Sequence, residues 1–436
     1  MSWNGISLSR RFDSEEASAE LARELGMKPE FDAAWALGSA FYDVLTSDSP
    51  QLYDEQELGG AAPLKKLFDE LLKPLAESLR LVLDDEGKKM VTRALIKELR
   101  RQLRNAPENR AFRACRRCRG AARGAAVSRA MSGQREPSAP AVTGTARAVA
   151  KIRRRARYIP FVKRLVETFK GKGSEVEDIV FSDDVDEYRL ELARRVVMMA
   201  TAVYAAMREA IEASKRIGPG YLPARAGVLS EPSELARALP EAQALLATRH
   251  GRKLLAAEEL SAMKTYAVDS VDVSRQRVDR LGLVIDCSGS MAGDEILIAA
   301  AIGIARVWLY RPKRVDLLFF NTRNRIIKAA SAADTIRALA AIEPGGGTDI
   351  AGAVEAALRE FRDAQVIDVV TDGRDYPRNA PRDPRLRYVI VSRDGWENWG
   401  WKSRSDATLV EVSKGRIRVV YPGAPEVKKV MEPETA

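Results

Sequence analysis

Three short stretches in the last third of this 436-residue chain carry the side chains best suited to chemistry. Asp286-Cys287-Ser288-Gly289-Ser290 alternates a carboxylate with two hydroxyls, Gly345-Gly346-Gly347-Thr348-Asp349 adds a hydroxyl behind three glycines, and Thr371-Asp372-Gly373 supplies a second carboxylate. In an extended chain alternate side chains point the same way. Asp286, Ser288 and Ser290 can therefore face one centre, which Thr348 and Asp372 can close. A donor set of hydroxyls and carboxylates without sulfur or imidazole suits Mg²⁺ or Mn²⁺, with water or a partner's carboxylate in the open position. A glycine-rich turn into a helix also suits phosphate, but no Lys-Ser or Lys-Thr follows the glycines as a P-loop requires. No nucleophile sits beside an activating base, which argues against catalysis in this region. Cys287 reads as a small packed residue.

Such loops meet only if strands bring them to one edge. After Val278 the hydrophobic pattern changes, and Leu281–Ile285 is a short apolar run of the buried-strand kind. The pattern predicts helices over Asp294–Tyr310, Ala332–Ile342 and Ile350–Phe361, and strands over Val315–Phe320, Arg325–Lys328, Val366–Thr371, Leu386–Ser392 and Arg416–Tyr421. Strands alternating with helices imply a doubly wound α/β fold with a mostly parallel sheet covered on both faces. Loops at the carboxyl ends of its strands collect on one edge, where ligands bind.

With Asp-x-Ser-x-Ser at Asp286, Ser288 and Ser290, the threonine at Thr348 and the last aspartate at Asp372, residues 279–423 resemble the von Willebrand factor A (VWA) domain and its metal-ion-dependent adhesion site. The resemblance implies a Rossmann-like sheet, with Ser288, Ser290 and Thr348 touching Mg²⁺ (or Mn²⁺) and Asp286 and Asp372 acting directly or through water. It also implies that the cation grips a Glu or Asp from a protein partner.

Upstream, residues 1–104 show helical periodicity. Ser14, Glu15 and Glu16 precede Leu21 and Leu25 as in a capped helix start. Leu64, Leu67, Phe68, Leu71 and Leu72 follow at helical spacing, with Pro74 expected to interrupt before a second helix over Gly87–Leu103. Residues 105–150, rich in Ala, Arg, Gly and Pro with Phe112 as their one aromatic, read as a basic linker or loop. Helical pattern resumes over 151–278, broken at Gly218-Pro219-Gly220 and near Pro240, and 424–436 reads as a tail. Seven carboxylates between Glu175 and Glu187 lack the spacing of an EF-hand and read instead as an acidic helix start facing a basic neighbour.

An all-α N-terminal region before a VWA-like domain is similar to the CoxE and ViaA type of protein, whose members work beside a MoxR-type AAA+ ATPase in remodelling complexes or maturing metal enzymes. Leu254-Leu255 through Tyr266 resembles the helical lead-in of that group. The likeness implies a non-enzymatic adaptor, with the helical part docking the ATPase or its target.

Other features set bounds. His250 is the only histidine and Cys115, Cys118 and Cys287 the only cysteines, which leaves little for a histidine triad, a complete zinc site or a disulfide framework. Cys115-x-x-Cys118, among Arg113, Arg116, Arg117 and Arg119, is half a zinc site or a redox pair. Trp396, Trp399 and Trp401 crowd a loop beyond a strand end and are candidates for a partner surface or a cap on the sheet. No apolar run reaches the length of a membrane span, and Met1–Glu16 has no apolar core of a signal peptide, so a cytoplasmic protein is expected. The net charge of +10 is unevenly placed: residues 100–164 hold 19 Lys and Arg against two acids, leaving −7 for the remainder. Arg116, Arg117, Arg153, Arg154 and Arg155 are the candidate anion contacts, and RNA or DNA binding through this segment is the alternative reading.

Overall fold

The computed structural model describes residues 7–28, 32–58, 62–109, 136–216, 225–228, 264–267, 278–342, 344–375, 381, 383–392, 407–413, 416–420 and 427–430. The chain divides into two compact units, one of residues 1–163 and 173–187, the other of 164–172 and 188–436.

The first unit is helical. Helix α1 (Glu15–Glu24) starts where expected: the Ser14 hydroxyl accepts from the Ala17 N–H, and Glu15 and Glu16 fill the first turn, where the helix dipole favours acid. Helix α2 (Ala33–Thr46), capped by Asp32, is buried nearly all round. Short helices α3 (Glu55–Leu58) and α4 (Ala62–Leu67) follow. A π-helical turn over Phe68–Leu72 then leads into α5 (Lys73–Arg80). Pro74 does not interrupt the helical path as expected. It lies in the first turn of α5, where its missing N–H costs nothing, and the π turn absorbs the change of register.

Helix α6 (Asp85–Gln102), capped by Asp84, packs against α2 and against α7 (Ala139–Ala156). Helix α7 corrects the expectation of a linker over 105–150. From Ala139 onward that stretch is helix, capped by Ser138 and started by Pro140. Gly144, read as punctuation, lies inside it because a Cβ there would come within 3.2 Å of Gln102 on α6. The glycine is a close-packing residue. Before the helix, buried Glu108 accepts from the N–H and hydroxyl of Ser138.

Helices α8 (Ile159–Thr168), α9 (Gly173–Phe181) and α10 (Glu187–Arg216) come next. The acidic stretch meets basic neighbours, but from within and beyond α9 rather than at a helix start: Glu177 accepts from Arg93 and Lys97, and Asp183, in the loop after the helix, from Lys151 and Arg101.

The helical expectation for 151–278 fails at two places. Strands β1 (Arg225–Val228) and β2 (Lys264–Ala267) pair antiparallel. The end of the supposed helical lead-in is therefore strand, consistent with β-branched Thr265 and aromatic Tyr266 preferring a pleated surface.

The second unit is built on an eight-stranded sheet of β3 (Arg280–Asp286), β4 (Arg314–Phe320), β5 (Asn324–Ile327), β6 (Val366–Thr371), β7 (Leu386–Ser392), β8 (Ala407–Ser413), β9 (Arg416–Val420) and β10 (Val427–Val430), in the order β10-β9-β8-β7-β6-β3-β4-β5. The β4-β3-β6-β7-β8 pairings are parallel, and β5, β9 and β10 add antiparallel edges. The mostly parallel α/β fold is thus as expected. β8 and β10 were not anticipated, and β10 lies in the stretch read as a tail.

Helices α11 (Asp294–Tyr310), α12 (Ala332–Ala341) and α13 (Ile350–Glu360) connect the strands. Gly303 of α11 rests on Leu283 and Ile285, whereas α13 shares a core with Val284, Leu318 and Phe320. Neighbouring residues of β3 point to opposite faces, so the two helices cover both sides. That double burial explains the unbroken apolar character of β3.

Candidate metal centre

Strand β3 leads through α11 to β4 on one side, while β6 pairs with β3 on the other. The winding reverses between β3 and β6, and in open α/β sheets ligands bind outside the carboxyl ends of the strands at such a point. Asp286 is the last residue of β3 and Thr371 the last of β6.

The Asp286 carboxylate is fully buried. Its Oδ1 accepts from the Ser288 N–H at 2.8 Å and its Oδ2 from the Thr371 hydroxyl at 2.7 Å. The Ser288 and Ser290 hydroxyl oxygens lie 3.1 Å apart. These contacts bring Asp286, Ser288 and Ser290 to one point.

The glycine loop is stitched alongside. Gly289 N–H donates to Gly346 O at 3.1 Å, and Gly345 N–H donates to Cys287 O at 3.2 Å. Gly346 has φ +74°, a left-handed conformation natural for glycine. Asn321, just past β4, holds both sides of this loop: its amide donates to Gly345 O at 3.0 Å, and its own carbonyl accepts from the Asp349 N–H. Half-buried Thr348 is carried on the same loop. Asp349 is a helix cap, accepting from the Gly352 N–H at the start of α13.

Asp372 completes the group. Its side chain is only 7% exposed. Oδ1 accepts from the Arg374 N–H, but buried Oδ2 has no hydrogen-bond donor among the described residues; Arg374 Nε stands 3.5 Å from it, an ion-pair contact without hydrogen-bond geometry. Burial pushes the Asp286 carboxyl above the usual carboxylate range, and the charge of Asp372 pushes it further. Bonds from Ser288 and Thr371 oppose both effects. A buried carboxylate whose charge is disfavoured by its surroundings, a second carboxylate with an unsatisfied buried oxygen, and two serine hydroxyls form a donor set that a divalent cation fits. Among the described residues no group of three or more His, Cys, Asp or Glu can hold a metal, so a cation here depends on the hydroxyls.

Cys287 is packed as read. Its thiol donates to Phe320 O at 3.0 Å, and burial, with the charge of Asp286, pushes it up to about 11.

Sequence alone gives two residues of the centre no role: Thr371 enters only as the lead into Asp372, and Asn321 not at all. Thr371 looked like the end of a core strand, although its place before Asp372 at a carboxyl edge was a signal. Asn321 had a similar one, following the Phe320 end of β4.

The other candidate residues belong to the helical unit or fall outside the described residues. Trp396, Trp399, Trp401, Arg116, Arg117, Cys115 and Cys118 are outside them. Arg153 and Arg154 are exposed on α7 of the helical unit, with Arg154 Nε 3.2 Å from Glu187. Arg155 is a correction to the anion set: it is buried, and its guanidinium donates to the carbonyls of Val180 and Ser182 at the end of α9. Among the described residues no helix is long and apolar enough to cross a membrane.

No curated protein matches the chain. Residues 281–402, from β3 through the stretch after β7, match the family model described as a VWA-like domain (DUF2201), so the second unit holds a region similar to that domain at the place where Asp286, Ser288 and Asp372 converge.

Proposed function

We propose that this protein is a non-catalytic, divalent-cation-dependent protein-interaction module, working in the cytoplasm as adaptor for a MoxR-type AAA+ ATPase in protein-complex remodelling or metalloenzyme maturation. The observation that carries the reading is the unsatisfied Asp372 Oδ2 beside the buried Asp286 carboxylate. Asp286, Ser288, Ser290, Thr348 and Asp372 would hold Mg²⁺ or Mn²⁺. The bound ion supplies a fixed positive charge that a partner's Glu or Asp can meet. Thr371 and Asn321 hold the aspartate and the glycine loop in place, so the chain orients the donors before any partner arrives. The VWA-like match supports an interaction role.

Nucleic-acid binding through residues 100–164 is less favoured, because much of the described basic charge there is already met by acid. Arg100 pairs with Asp32, Arg101 and Lys151 with Glu98 and Asp183, and Lys163 with Asp84.

The test is capture of a MoxR-type ATPase by the full chain in Mg²⁺ and in EDTA, with wild type and Asp286→Ala. Capture lost in EDTA and in the variant supports the proposal. Capture indifferent to both removes the metal grip, and no capture at all removes the ATPase as partner.

A further inference from the structure

Arg374 stands two residues beyond Asp372 and its side chain is 68% exposed, yet its backbone N–H and its guanidinium Nε both turn back to that aspartate. Its N–H donates to Oδ1 at 3.1 Å, and its Nε lies 3.5 Å from Oδ2. Gly373, at φ +73°, supplies the left-handed turn between them. Oδ2 is the oxygen left without a hydrogen bond, so the guanidinium offers a counter-charge without satisfying the acceptor.

We infer that Arg374 is a tethered cation that competes with the metal for Asp372 and thereby lowers the affinity of the centre for divalent ions. The inference rests on the proposed metal centre and deepens it. A divalent ion bound through Asp372 would stand close to a guanidinium of like sign, and like charges at such range repel. The Arg374 side chain is long and solvent-exposed, so it can swing away, and the cost is that of giving up one ion pair open to solvent on its arginine side. A 3.5 Å pair with a solvated partner and no hydrogen bond contributes little, which sets the scale: the competition weakens metal affinity by a factor of about 2–5 at low salt. Because the guanidinium side of the pair is open to solvent, the effect shrinks as ionic strength rises past the point where screening acts over a few ångströms.

The experiment titrates Mn²⁺ into the full chain, following free Mn²⁺ by electron paramagnetic resonance, at 20 mM and 500 mM salt. The proteins are wild type, Arg374→Gln, Arg374→Lys and Asp286→Ala. Arg374→Gln should bind Mn²⁺ about 2–5 times more tightly than wild type at low salt, with the gap closing at high salt. Arg374→Lys, which keeps the charge, should stay near wild type. If Arg374→Gln binds with unchanged or weaker affinity while Asp286→Ala loses binding, the competition is wrong and the metal centre stands. If Arg374→Gln and Arg374→Lys tighten binding equally, side-chain shape and not charge is responsible, and the inference also fails. If wild type takes up no Mn²⁺, or Asp286→Ala takes up as much, the metal centre itself is wrong and the inference falls with it.

Discussion

Thr371 Oγ1 donates a 2.7 Å hydrogen bond to Oδ2 of Asp286, and neither side chain is open to solvent. The bond joins the ends of β6 and β3, the adjacent strands between which the winding of the sheet reverses. It fixes one carboxylate oxygen while the Ser288 N–H fixes the other. Replacing the donor with an isosteric apolar group should expose its contribution. Thr371→Val leaves a buried carboxylate oxygen short of a donor, which costs about 1–3 kcal/mol. Thr371→Ser keeps the hydroxyl and should recover most of that. Urea midpoints of the three proteins measure the difference, and equal midpoints for Val and Ser would mean that the bond does not matter.

Asp372→Asn separates the two states of the centre. In EDTA it removes a charge that disfavours the ionised form of Asp286, so its melting temperature should equal or exceed that of wild type. With Mg²⁺ at a hundred times its dissociation constant, wild type should gain about 2.7 kcal/mol. The variant should gain almost none of this. Melting curves with and without Mg²⁺ test the crossover, and parallel shifts in both proteins would contradict it.

In the helical unit, burial opposes ionisation of Glu98. Hydrogen bonds from Gln102 and Arg101, together with Lys151, outweigh it and hold the carboxyl below the usual range. A depressed carboxyl stabilises the fold above its unfolded value, near pH 4.3, and loses that contribution as pH falls through the folded value. Glu98→Gln should therefore cost about 1–3 kcal/mol at pH 7, and the gap to wild type should close below about pH 4. Hydrogen-exchange protection of the α6 amides at several pH values reads this. A gap that widens toward acid would reverse the sign.

The parallel core of the sheet was legible because strands buried on both faces are mostly apolar: Leu281–Ile285 carries no polar side chain, and Val366–Thr371 is interrupted only by Asp368 before its terminal threonine. The candidate site could be picked out because four of its five residues follow strand ends in short, recognisable loops or enter a helix from one. What failed was context. Pro74 and Gly144 break helices in isolation, but a π turn accommodates the first and close contact with Gln102 requires the second. β2 is four residues long, too short for its alternation to outweigh the helical pattern around it. Thr371 and Asn321 act through partners 85 and 24 residues distant in sequence, which no local pattern encodes.

Gly282 shows how closely the same sheet is packed beneath the site. A Cβ there would lie 2.7 Å from Cδ2 of Phe361 and 3.3 Å from Cγ1 of Ile367, both fully buried. Gly282→Ala should destabilise the second unit by about 1–3 kcal/mol through overpacking. Phe361→Leu in the same chain should relieve part of it, so the double variant is less unstable than the two single effects added. Additive costs in urea unfolding would show that the ring is not the obstacle.

Arg306 on α11 and Asp368 on β6 form a buried two-point ion pair, at 2.7 and 2.8 Å, with side-chain exposures of 4% and 0%. Asp368 stands opposite Leu283 of β3, and Arg306 also stacks 4.9 Å from the Tyr310 ring centre. The pair therefore ties the helix that follows the Ser288–Ser290 loop to the strand that ends at Thr371. Removing one partner strands a charge in the core, so Asp368→Ala should cost about 3–5 kcal/mol. Removing both as Arg306→Met with Asp368→Leu should cost far less, because desolvation of two charges cancels much of their attraction. A double-mutant cycle in urea measures the coupling. Should the double replacement keep its stability yet lose Mn²⁺ affinity, the pair's role is to hold α11 in register with the Ser288–Ser290 loop. If stability and affinity both survive, the pair is dispensable to the centre.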